Sequence, residues 1–111
     1  LSKLEIEKKF QKIDKKFSIK YPVFKDLREK GYLVKTALKF GADFRIYEKG
    51  KRPGKNHAKW IVFADHETNK NSWQEFSAKN RVAHSTKKKL ILAIIDEESD
   101  VSYYECSWIK L

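Results

Sequence analysis

Residues 90–96, "LILAIID", place six apolar side chains in succession. A strand with one wet face alternates apolar and polar positions. A strand apolar at every position must be covered on both sides, as the inner strand of a sheet flanked by helices. The run is entered through Lys87, Lys88 and Lys89. Three lysines there are either a solvated strand entrance or cations set where something negative is met.

The rest of the chain supplies the layers that such a strand needs. Residues 3–17 read as a basic amphipathic helix, with Ile6, Phe10, Ile13 and Phe17 spaced by 4, 3 and 4. "YPVFKDLREKG" reads as a second helix, with Pro22 in its first turn. Val23, Phe24 and Leu27 form its apolar face, and Gly31 sits at a left-handed cap. "YLVKTALKFG" fits strand or helix, and its β-rich opening favours strand. "ADFRIYEKG" alternates Phe44 and Ile46 against Arg45 and Tyr47, as a half-buried strand does. A cationic Gly/Pro turn, "KGKRPGKN", follows, and "HAKWIVFAD" returns as its hairpin-like partner. Ser72 and Glu75 form a capping box that opens a short helix with Trp73 and Phe76 on one side. "VSYYECSWIKL" ends the chain as an alternating strand. The class is α/β (α+β), a mixed β-sheet flanked by helices. Residues 1–20 are expected to form an N-terminal basic helix, a remnant or linker of a longer chain. Residues 21–111 form the main domain. An opening on Leu1 in place of Met agrees with a trimmed chain.

Charge narrows the partners. Twenty-five Lys and Arg against 15 Asp and Glu leave a net +10 in 111 residues. An excess of this size favours an anionic partner, nucleic acid ahead of a membrane surface. No apolar run approaches the roughly 20 residues that span a bilayer. Cys106 stands alone, which excludes an internal disulfide and points to a reducing, cytoplasmic setting.

The side chains able to move protons or stabilise charge are Tyr47, His57, His66, His84 and the lysine cluster. Tyr47 closes one strand and His57 opens the next, so neighbouring strands would bring both to one end of the sheet. Each is ambiguous alone: a lone histidine is more often structural than catalytic, and a strand tyrosine more often packs. His66 lies in a polar stretch and reads as exposed; His84 reads as a hydrogen-bonded structural residue. No His-Glu-x-x-His pattern or nuclease-like arrangement of acids marks a metal site. RNA can be cut without one, because its 2′-hydroxyl is an internal nucleophile. A base, an acid and a cation for the phosphorane are then sufficient.

"FGADFRIYEKG", "HAKWIVF" and "RVAHSTKKKLILAIIDEE" together resemble the catalytic domain of archaeal tRNA-splicing endonucleases, the tRNA-intron endonuclease family. The resemblance runs from about Tyr21 to the C-terminus. It implies an enzyme that excises introns from precursor tRNA at bulge-helix-bulge sites without metal or cofactor. Its products would be a 2′,3′-cyclic phosphate and a 5′-hydroxyl. The family's tyrosine falls on Tyr47, its histidine on His57 and its lysine on Lys88, with Lys87 the alternative. Arg81 matches an arginine that stacks on a flipped-out bulge base. Arg52 and Lys55 of the cationic turn, and Tyr103, are further candidates for RNA contact. The acidic segment with Asp96, Glu97, Glu98 and Asp100 resembles a loop that docks into a second subunit. Tyr104 and Trp108 on the last strand would join a homo-oligomer or a catalytic–structural hetero-tetramer. The alternatives are a non-catalytic structural subunit, a general RNA-binding module and a metal-dependent nuclease.

Overall fold

The computed structural model describes residues 18–50, 54, 56–107, 109 and 111. The helix expected over residues 3–17, and the expected contacts Arg52, Lys55 and Trp108, lie outside the described residues.

Helix α1 is described over residues 18–29. Val23 and Leu27, one turn apart, are buried, and Ile19 and Phe24 pack on the same cluster. Residues 18–21 are already helical, so Pro22 lies inside the helix and not in the first turn expected for it. Ile19 anchors the turn ahead of the proline to the core. The ambiguous "YLVKTALKFG" divides into strand β1 (Leu33–Thr36) and a 3-10 turn (Leu38–Phe40). Four elements continue the fold: β2 (Phe44–Tyr47), β3 (Trp60–His66), α2 (Trp73–Ser85) and β4 (Lys89–Ile95). Strand β5 (Val101–Cys106) completes it.

The strands form one five-stranded sheet in chain order, β1 to β5. Every neighbouring pair is antiparallel except β3–β4, which is parallel and is linked through α2. The fold is thus α+β with a mixed sheet, and among the described residues each face of the sheet carries one α-helix.

Period-two alternation divides the core between the two faces. Trp60, Val62, Ala64, Ile91, Ala93 and Ile95 face the α1 cluster. Ile61, Phe63, Leu90 and Leu92 face the cluster that includes Ala83 of α2. The continuous apolar run therefore covers both faces, with Leu90, Ala93 and Ile95 buried.

Several boundaries differ from those read in the sequence. Strand β3 starts at Trp60, so His57 precedes the strand. His66 is the last residue of β3 and is half-buried, not a loop residue. Its Nδ1 lies 2.8 Å from Thr68 Oγ1. Ser72 Oγ accepts the Glu75 N–H at 3.1 Å, as the capping box requires. The helix it opens is longer than expected and carries Arg81 and His84 within it. Trp73 is 85% exposed, although it meets Phe76 edge to face at 6.3 Å.

Both helices end the same way. The Gly31 N–H reaches Arg28 O and the Tyr32 N–H reaches Leu27 O, with Gly31 left-handed at φ +92°. The Lys87 N–H reaches His84 O and the Lys88 N–H reaches Ala83 O, with Lys87 at φ +57°. This bond pair is the Schellman close, whose left-handed position suits glycine. At the end of α2 a lysine occupies it and carries the steric cost of its Cβ.

Tyr103 is placed by α1. Its hydroxyl donates to Asp26 Oδ2 at 2.6 Å, and Lys30 Nζ donates to the same oxygen and lies 4.9 Å from the tyrosine ring centre. The fold thus already engages the hydroxyl and ring that were expected to meet RNA. Burial pushes the Asp26 carboxyl up, but hydrogen bonds from Lys30 and Tyr103, with the Lys30 charge, outweigh it and hold the group below its ordinary value. Burial, then the bond to Asp26 and its charge, push the Tyr103 phenol far up.

The two helix ends give opposite expectations. Gly31→Ala should lower stability by about 1–2 kcal/mol, and Lys87→Gly should raise it by roughly 0.5–1 kcal/mol. Urea unfolding midpoints measure both; equal shifts of one sign would contradict the shared geometry. Tyr103→Phe should cost about 1 kcal/mol near neutral pH. The folded-state value of Asp26 is depressed below 3.8, so its contribution is full above that value and is lost as pH falls through the depressed one. The gap between wild type and Tyr103→Phe should therefore narrow in acid, as denaturant titrations at descending pH would record.

Candidate active site

The parallel pairing of β3 and β4 brings their starts to one edge of the sheet, where Trp60 faces Lys89. Strand β2 runs antiparallel to β3, and Ile46 faces Trp60, so the end of β2 reaches the same edge. Three side chains follow from this. Tyr47 is the last residue of β2, His57 lies in the segment leading into β3, and Lys88 immediately precedes β4. All three line one cavity of about 280 Å³, together with Lys39, Phe40 and Arg45.

Each is held differently. Tyr47 is 4% exposed, more covered than a half-buried strand implied, and lines the cavity together with Phe40 and Ala58. His57 is exposed. Lys88 is fixed through its main chain: its N–H bonds to Ala83 O at 2.8 Å, and the next N–H, of Lys89, bonds to Lys59 O at 2.9 Å. Its ammonium lies 5.0 Å from the Phe40 ring centre and 3.4 Å from Thr86 O. The turn with Lys87 left-handed thus delivers Lys88 into the cavity, while Lys87 lines a different one of about 240 Å³ beside His84 and Cys106.

The cavity is cationic. Lys39, Arg45 and Lys88 line it, and no described lining residue is a carboxylate. Burial lowers the pKa of Lys88, and the charges of Arg45 and Lys39 lower it further. Arg45 was not singled out from the sequence, nor was Lys39. A signal for Arg45 existed: it stands two residues before Tyr47 in a strand, on the same face. Lys39 had none, because its place depends on the 3-10 turn packing near the end of β2.

The remaining candidates lie elsewhere. Arg81 is exposed on α2 and lines a cavity of about 360 Å³ with Phe76, Asn80 and His84. Tyr103 belongs to the α1 face of the sheet, opposite the face that carries Phe40. In the acidic segment, Asp96 Oδ1 accepts the N–H groups of Glu98 and Asp100, each at 2.9 Å, and so shapes the turn. Glu97, Glu98 and Asp100 are exposed, as is Tyr104 at 56%. Among the described residues no group of three or more His, Cys, Asp or Glu is placed to hold a metal ion, and no helix is long and apolar enough to cross a membrane.

The family model for the tRNA intron endonuclease, catalytic C-terminal domain, matches residues 17–103. The tRNA-splicing endonuclease of Nanoarchaeum equitans is 46% identical over 116 residues, covering 99% of this chain and 74% of the relative. That of Pyrococcus abyssi is 45% identical over 106 residues, covering 96% of this chain and 60% of the relative. That of Methanothermobacter thermautotrophicus is 45% identical over 91 residues, covering 82% and 54%. The chain thus spans little more than half the length of the latter two. With 87 of its 111 residues inside the match (17 through 103), the chain belongs to the tRNA intron endonuclease family, in the region of its catalytic C-terminal domain.

Proposed function

We propose that the protein cuts precursor tRNA at intron boundaries, recognising bulge-helix-bulge RNA and cleaving by attack of the 2′-hydroxyl. The observation that carries this reading is that Tyr47, His57 and Lys88 line one cationic cavity although they come from three separate parts of the chain.

Tyr47 takes the proton of the 2′-hydroxyl at the cleavage site. That oxygen attacks the adjacent phosphorus, and negative charge builds on the non-bridging oxygens. Lys88 stabilises this charge. His57 gives a proton to the leaving 5′-oxygen. The products are a 2′,3′-cyclic phosphate and a 5′-hydroxyl. Lys39 and Arg45 share the cavity with Lys88 and add to the positive charge that faces the phosphate. His57 is exposed, as an acid serving a large RNA must be.

Arg81, exposed on α2, would stack its guanidinium on an unpaired base of the bulge. Strand β5 is an edge of the sheet, with Tyr104 exposed, and would join subunits by extending the pairing. The exposed acids Glu97, Glu98 and Asp100 would dock on a basic surface of another subunit.

The test is cleavage of a bulge-helix-bulge RNA in chelator, beside the same RNA carrying 2′-deoxy residues at both cut positions. The first should be cut to cyclic-phosphate ends and the second left whole; cutting of both would reject the mechanism. His57→Ala should slow the reaction about 10²–10⁴-fold, and Lys88→Ala about 10²–10³-fold. Single-turnover rates at saturating protein would measure these losses apart from binding.

A further inference from the structure

Arg45 carries a charge that no acid among the described residues pairs with. Its Nε is buried and has no hydrogen-bond partner, and among the described residues its guanidinium enters no ion pair. A half-buried charge without a counter-ion is costly, and proteins that keep one have a use for it. The neighbouring acids serve elsewhere: Asp43 accepts the Ala64 N–H at 2.7 Å and pairs with Lys20 at 3.3 Å, and Glu48 pairs with Lys59 at 3.7 Å.

Two further cations share the space. Lys39 and Lys88 each place an ammonium over the Phe40 ring, at 5.1 and 5.0 Å from its centre, and both line the cavity with Arg45. Like charges gathered without an acid repel one another in the empty protein. The depressed pKa of Lys88, caused by burial and then by the Arg45 and Lys39 charges, is one sign of this. An anion between them would turn the repulsion into attraction.

We propose that Arg45 is a phosphate-binding residue, which with Lys39 and Lys88 forms a preformed site for one phosphodiester group in the cavity beside Tyr47. The guanidinium offers a planar fork of donors matched to two oxygens of a phosphate, where an ammonium offers a point charge. Arg45 and Tyr47 project from the same face of β2, two positions apart, so a phosphate held by the first lies along the strand from the phenol of the second. Arg45 thus fixes where the phosphate sits, and Lys88, on a separate turn, meets the charge that develops on it. The assignment of that phosphate as the one being cut rests on the function proposed above; the anion site does not.

Inorganic phosphate is therefore the first probe. The side-chain Nε–H signal of Arg45 in a ¹⁵N-labelled protein should shift saturably on phosphate titration at constant ionic strength. Arg45→Gln should weaken phosphate binding about tenfold or more, as loss of a charged hydrogen-bonding partner does, while Arg45→Lys recovers part of it. With bulge-helix-bulge RNA, Arg45→Gln should lower the single-turnover rate at saturating protein by a similar factor. A saturable shift in a protein that cuts no RNA would uphold the anion site and reject the splicing reaction. Cleavage by wild type with no Arg45 shift, or with Arg45→Gln as fast as wild type, would overturn the anion site alone. The wild-type titration decides the matter even if Arg45→Gln fails to fold.

Discussion

The parallel pairing of β3 with β4 is the constraint on which the rest depends. It is the one parallel pair in the sheet, and a parallel pair requires the chain to cross back over a face before the second strand begins. Helix α2 makes that crossing, and its end must hand the chain to β4 within a few residues. The Schellman close with Lys87 in the left-handed region accomplishes this, and Lys88 emerges at the edge where β2 also ends. The candidate site is a by-product of that hand-over. A register slip of one residue in β4 would turn every side chain of the run to the other face.

Electrostatics then gives this edge its character. The chain as a whole carries +10, an excess that steers anions without selecting among them. At the end of β2 it is concentrated: Lys39, Arg45 and Lys88 share one cavity whose described lining includes no acid. On the opposite face of the sheet, charge is used structurally. Asp26 receives both Tyr103 and Lys30, and the three tie α1 to β5. The same residue types thus serve two purposes, and the presence or absence of a neighbouring carboxylate separates them.

Much of the fold was legible because its signals are local. Alternation in "DFRIY", the unbroken run after Lys89, the Ser72 cap and the Gly31 stop each act within a few residues, and each appears where it was read. The errors fall where tertiary contacts override local preference. Pro22 reads as a helix start, yet Ile19 extends the helix ahead of it by packing on the core. His66 reads as an exposed residue of a polar stretch, yet β3 continues to it because β4 offers Ile95 as a partner. Tyr103 reads as a candidate for RNA contact, yet its hydroxyl is taken up by Asp26 of α1, 77 residues away in sequence.

By itself the sequence determined the layered class and the basic character and nominated Tyr47, His57 and Lys88 as candidates, since alternation, charge and family motif are all written in neighbouring residues. Only the tertiary structure decided which of the many cations share a cavity. Lys39 looks like an ordinary exposed charge on a short turn, which nothing nearby in the chain distinguishes from Lys35 or Lys49, and Arg45 is marked only by sharing the Tyr47 face of its strand. Their convergence with Lys88 depends on strand order, on register and on the turn after α2, which are set by contacts among residues far apart in the chain. A buried nitrogen without a partner is likewise a property of the assembled fold, because it exists only once every other donor and acceptor has been paired.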